Sequence, residues 1–212
     1  MKLNTYFKII FSFSISVFLL LFSIKVAVNF KYIYYFDIKH LNIENYTSLS
    51  NKEIRSTYDY LINYVDSSSN AAFNIPTLKS SEEGKVHFLE VKNIFRRLNS
   101  ILLISTIISA VGILYIYKYK CFSILNLASN LLLSVCALTI IPCCINFNKS
   151  FNLFHEAIFK NNYWLFDPEK DPVINILPEE YFFHCAVLII SIIIVGSLIL
   201  KLIYVRNVKN RK

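Results

Sequence analysis

Four apolar runs, over residues 9–30, 98–117, 121–145 and 182–202, constrain this chain more than any other feature. Each is long enough to cross about 30 Å of hydrocarbon as a helix. Of the 212 residues 55% are hydrophobic and only 17% charged, the profile of a membrane protein. What remains is two loops, 31–97 and 146–181, with no soluble domain of ordinary size. The sequence therefore predicts an all-α integral membrane protein: one membrane domain over 1–212, with four transmembrane helices and a small external cap of amphipathic helices and short strands.

The net charge of +8 does not point to nucleic acid, because of where it sits. Lys2, Lys8, Lys118, Lys120, Lys201, Arg206, Lys209, Arg211 and Lys212 all flank spans on the side that four passes make common, with no acidic residue among them. Loop 146–181 carries more acidic than basic residues. By the positive-inside rule both termini are cytoplasmic and both loops external. Arg96 and Arg97 precede the second span on the outer side, where a loop of more than about 60 residues is largely exempt from the rule; they read as headgroup contacts. The N-terminus resembles a signal peptide but lacks a small-x-small cleavage site over 25–30, so an uncleaved anchor is expected. Cys121, Cys136, Cys143, Cys144 and Cys185 lie in or beside the spans without ligand spacing and read as packing residues.

Ser80 followed by Glu83 has capping-box spacing, and the sequence then stays compatible with one helix to Tyr117. His87, Glu90, Val91 and Ile94 share a face of it. At about 1.5 Å per residue, His87 stands roughly 16 Å from Leu98 along a straight helix, so a bend or a cap of protein must bring a site there down to the lipid. Ser50 with Glu53 opens a second helix whose Ile54, Tyr58, Leu61, Ile62 and Val65 form an apolar face. In FKYIYYFDI, Tyr32, Tyr34 and Phe36 alternate in a strand-like pattern that reads either as an interfacial aromatic belt or as the wall of a lipid-facing site. Pro142 predicts a kink in the third span. Beyond it Phe151, Phe154, His155, Ile158 and Phe159 fall on one helical face. Tyr163, Trp164 and Phe166 follow together, and Pro168, Pro172 and Pro178 exclude regular helix up to the fourth span.

Three glycines, Gly84, Gly112 and Gly196, exclude phosphate-cradling loops, and no G-x-S-x-G elbow is present. Neither H-E-x-x-H nor C-x-x-C occurs, so no metal and no other cofactor is expected. Histidine is left as the chemistry-bearing type. A single histidine is more often a hydrogen-bonded packing residue, and His40 and His184 are read so. His87 and His155 differ: both lie on helical faces opening toward the same leaflet, and each has a carboxylate near, Glu90 at i+3 and Glu156 adjacent. Glu90 shares the face of His87 and is the better candidate to fix its tautomer.

HFLEVK at 87–92, and FHEAIF, YWLFDP and LPEEYF within 154–182, resemble the two signature regions of the bacterial lipoprotein intramolecular transacylase (Lit) family, with spans and loops in matching order. The family more often has Asp where Glu90 stands. The resemblance implies an acyltransferase that moves the sn-2 acyl chain of the diacylglyceryl group to the α-amine of a lipoprotein's N-terminal cysteine, giving the lyso form. It makes His87 and His155 the catalytic pair, Glu90 an orienting group, and Tyr32, Tyr34, Phe36, Phe154 and Trp164 a lipid pocket. The implied partners are a diacylglyceryl lipoprotein and membrane lipid, with no obligate protein partner. The rival classes are a histidine-dependent acyltransferase or hydrolase acting on an external lipid, and a non-catalytic four-span scaffold.

Overall fold

The computed structural model describes residues 2–209; Arg211 and Lys212 of the basic flank, and the side chain of Lys2, lie outside the described residues. Its elements run α1 (Lys2–Asn29), α2 (Tyr32–His40), a 3₁₀ turn (Ile43–Tyr46), α3 (Asn51–Asp66), α4 (Glu82–Tyr119), α5 (Ser123–Ile145), α6 (Phe147–Ile158), a second 3₁₀ turn (Pro172–Ile176) and α7 (Glu179–Lys209). Four of these helices, Thr5–Asn29 within α1 together with α4, α5 and α7, are long and apolar enough to cross a membrane. No strand occurs among the described residues.

Two compact units can be separated. One comprises residues 1–26, 98–144 and 187–212, and holds the apolar stretches. Its helices are joined by small polar residues: Ser12 Oγ donates to Ile124 O at 2.9 Å, Ser16 Oγ to Ala128 O at 3.1 Å, Ser14 Oγ to Ser105 O at 3.1 Å and Ser129 Oγ to Ser197 O at 3.0 Å. Apolar side chains gain little by leaving lipid for one another, so close backbone approach and such hydrogen bonds are what hold helices together in hydrocarbon. Gly112 permits one approach: a Cβ there would meet the Phe11 ring at 3.0 Å.

The other unit comprises residues 27–97 and 145–186. Its core takes residues from both loops, Tyr34, Ile38, Ile54, Tyr58, Leu61 and Phe88 from the first and Val173, Ile176 and Tyr181 from the second. Each loop thus supplies only part of the core. Tyr34 stacks on Tyr58 with centroids 3.8 Å apart and donates its hydroxyl to Ile176 O at 2.6 Å. Helix α3 is opened by the expected capping box, Ser50 with Glu53, and buries Ile54, Tyr58, Leu61 and Val65.

Three sequence expectations are corrected here. Residues 32–40 form a helix and not a strand, because Tyr34, Asp37 and Ile38, at i, i+3 and i+4, are the buried set; the aromatic alternation concealed that period. The start of α4 is capped by Ser81 and not by Ser80: Gly84 N donates to Ser81 Oγ at 2.9 Å. Arg96 does not wait for headgroups, since its guanidinium donates to Ser68 O, Ser69 O and Asn70 Oδ1 just past α3.

Asp171 fixes the Pro-rich loop to the start of α4. It is buried, and its carboxylate accepts from Ser81 N at 2.8 Å and Ser81 Oγ at 2.5 Å. Gly84 leaves room for this, for a Cβ there would collide with Asp171 Oδ1. Gly84→Ala is therefore expected to lower stability by about 1–3 kcal/mol through overpacking, read as a lower melting temperature in detergent, with Asp171→Ala falling at least as far. An unchanged melting temperature for both would remove this tether.

Candidate active site

Helix α4 presents His87 and Glu90 before its apolar part begins at Leu98, and α6 presents His155 in its last turn. The two imidazoles lie with centroids 6.4 Å apart. Around His87 stand Phe159 at 4.7 Å, Phe166 at 5.4 Å and Phe88 at 5.9 Å. His155 is stacked by Trp164 at 4.9 Å and lies 4.2 Å from Phe151. The pair expected from sequence is thus brought together inside an aromatic enclosure.

Hydrogen bonding defines one of the rings. His155 Nδ1 lies 2.8 Å from Phe151 O. A carbonyl only accepts, so Nδ1 carries the proton and neutral His155 has its lone pair on Nε2. His87 is buried and its Nδ1 has no hydrogen-bond partner among the described residues. Burial pushes the His87 imidazole down to about 4, with the neighbouring His155 adding to the effect. Burial also lowers His155, opposed by its bond to Phe151 O. Both rings are neutral at pH 7.

The remaining expected residues divide. Glu90 hydrogen bonds Asn161 Nδ2 through Oε1 at 2.8 Å, and its Oε2 is buried without a partner. No hydrogen bond joins it to His87 among the described residues, so the expected direct contact is replaced by one to the loop. Of the aromatic residues expected to line a lipid pocket, Trp164 and Phe154 flank His155, the latter at 5.4 Å and exposed. Tyr34 is a core residue with no exposed surface and is withdrawn from that set. Tyr32 and Phe36 are exposed on α2, Tyr32 against Phe30 and Tyr35, Phe36 against His40. His184, set apart from His87 and His155 in the sequence for want of a neighbouring carboxylate, pairs with buried Asp37, Nδ1 to Oδ2 2.8 Å. Among the described residues no group of three or more His, Cys, Asp or Glu side chains is arranged for a metal ion.

Asn161 was not legible as a site residue, being one amide in a polar turn. Phe166 had a signal only as a member of an aromatic trio, and Phe159 as the last member of the α6 face.

Neutral burial of His87 has a consequence for stability. The unfolded histidine, with a pKa near 6.5, binds a proton that the folded one refuses until about pH 4. Stability is thus complete above about pH 6.5 and declines as pH falls toward 4. The melting temperature should drop over that window, and drop less in His87→Asn; parallel curves for the two proteins would contradict the assignment.

A model of the family described as lipoprotein intramolecular transacylase Lit matches residues 9–182. No curated protein sequence matches the chain. Among solved structures, the in meso structure of the membrane-integral lipoprotein intramolecular transacylase Lit from Bacillus cereus is 36% identical, with a TM-score of 0.95, over 99% of this chain and 98% of that one. Two further structures of the Bacillus cereus protein carry a histidine replaced by arginine or by alanine. Each has a TM-score of 0.87 and 36% identity, covering 99% of this chain and 94% or 96% of the other.

Proposed function

The chain belongs to the lipoprotein intramolecular transacylase family, and we propose that His87 and His155 carry its acyl transfer at the outer surface of the cell membrane. The protein is a membrane-integral acyltransferase acting on a lipoprotein. The observation that carries the site assignment is the 6.4 Å approach of two neutral imidazoles within an aromatic enclosure.

The substrate bears a thioether-linked diacylglyceryl group and a free amine on its N-terminal cysteine. Attack of that amine on the sn-2 ester carbonyl closes a medium-sized ring through nitrogen, Cα, Cβ, sulfur, two glyceryl carbons, ester oxygen and carbonyl carbon. Such rings close poorly in solution, whereas well-oriented intramolecular reactions reach effective molarities of about 10⁵ M or more. His155 is the base: with Nδ1 committed to Phe151 O, its Nε2 takes the amine proton and returns it to the departing glyceryl oxygen. His87 orients the amine by accepting its second N–H. Glu90, held by Asn161, lines the same site as a positioning residue.

The orientation rests on charge. Basic residues flank the spans on the side of the termini, which makes the termini cytoplasmic and leaves the histidine-bearing loops outside. The apolar side of α6 supports contact with lipid, for Leu153, Phe154 and Ile158 are exposed. Cysteines introduced at Asn70 and Glu169 should react with an impermeant reagent in intact cells, and protection of both would reverse the topology.

His87→Asn and His155→Asn should each abolish turnover with the protein still inserted, while Glu90→Gln should lose part of it. The reaction is an isomerisation, so purified protein in detergent should convert a diacylated lipopeptide without added phospholipid and without change of mass. Only fragmentation changes, one acyl chain having moved to nitrogen. A gain of one acyl mass would establish an external donor, a loss would establish hydrolysis, and near-normal turnover in both histidine variants would dismiss the pair.

A further inference from the structure

We infer that Trp164 is a third catalytic residue, its indole N–H holding the ester carbonyl oxygen as that oxygen becomes an anion. The inference rests on the reading of His87 and His155 as the reacting pair. In that reading the histidines move the proton and orient the amine, and nothing yet stabilises the charge that develops on the carbonyl oxygen.

Trp164 is 9% exposed, and its Nε1 is buried without a hydrogen-bond partner among the described residues. Indole N–H is a donor only, and a donor taken out of water with no acceptor destabilises the fold. Buried tryptophans ordinarily find a partner for it. Here the ring stacks on the proposed base itself, 4.9 Å between centroids with the planes inclined by 28°. At that inclination the N–H vector runs nearly alongside the imidazole plane, so the face of His155 is not its acceptor. An oxygen brought by the substrate beside the base would supply the missing acceptor.

The amine lone pair forms the N–C bond while the carbonyl π pair moves onto oxygen, where Nε1–H of Trp164 donates to it. Nε2 of His155 takes the N–H proton. Collapse restores the carbonyl and breaks the C–O bond to the glyceryl group. The glyceryl oxygen leaves with that electron pair and receives the proton from His155. The products are the amide and a free sn-2 hydroxyl, and the indole keeps its proton throughout.

Two substitutions test this in the full-length protein in detergent, with a diacylated lipopeptide as substrate: Trp164→Phe, and replacement of Trp164 by its benzothienyl analogue, which keeps the bicyclic shape but has no N–H. Loss of one oxyanion donor lowers kcat by about 10²–10³-fold. KM and the shape of the pH profile should stay as in the wild type. The melting temperature of the benzothienyl variant should be equal or higher, since an unsatisfied donor has been removed. A kcat within a few-fold of wild type for that variant, or a melting temperature that falls together with kcat, would overturn the inference. Inactive histidine variants beside an active benzothienyl variant would dismiss the role of Trp164 alone. Active histidine variants would dismiss the pair on which it rests.

Discussion

The buried carboxylate of Asp171 at the start of α4 is the interaction on which the rest of the histidine-bearing unit depends. A carboxylate leaves water at high cost unless its oxygens are satisfied. Here both accept from Ser81, and the positive end of the α4 dipole adds to the attraction. The segment from Asn161 to Pro178 has little regular structure of its own, so it cannot take its place from a backbone ladder. It is held by Asp171 at Ser81, by Asn161 at Glu90, and by Val173 and Ile176 in the core. Those contacts set Trp164 and Phe166 against the two imidazoles.

The enclosure then sets the charge state. Aromatic neighbours offer His87 no counter-ion, and a second imidazole close by disfavours protonation further. For the base role proposed for His155, a resting positive charge would be of no use, since the ring must accept a proton from an amine. Fixing the tautomer through Phe151 O does for His155 what a carboxylate does in other histidine sites.

Much of this was readable from residue types and spacing. Spans were legible because crossing hydrocarbon demands length and apolarity together, and the α3 face because its apolar residues recur with helical period. His87 and His155 were legible as a pair through their helical faces and the family motifs. The errors share one cause: local patterns do not report what packs against them. Tyr34 looked like its neighbours Tyr32 and Phe36, yet only Tyr34 meets Tyr58 and Ile176. Glu90 looked like a partner for His87 because they share a face, and Asn161, arriving from 71 residues away, took the carboxylate instead. Ser80 alone has a glutamate at capping-box spacing, yet Ser81 is the cap, its hydroxyl accepting from Gly84 N and donating to Asp171.

The same enclosure bears on how the proposed site would favour attack by the amine over attack by water. Both are nucleophiles for the sn-2 carbonyl, and a histidine able to deprotonate one can deprotonate the other. Phe88, Phe159 and Phe166 surround His87 with rings that offer water no conventional hydrogen bond. The amine needs no such invitation, since it is tethered to the carbonyl through the thioether and enters with it. On the proposed assignment, apolar walls around His87 favour transfer over hydrolysis, and three buried atoms of the same site, His87 Nδ1, Glu90 Oε2 and Trp164 Nε1, have no hydrogen-bond partner among the described residues.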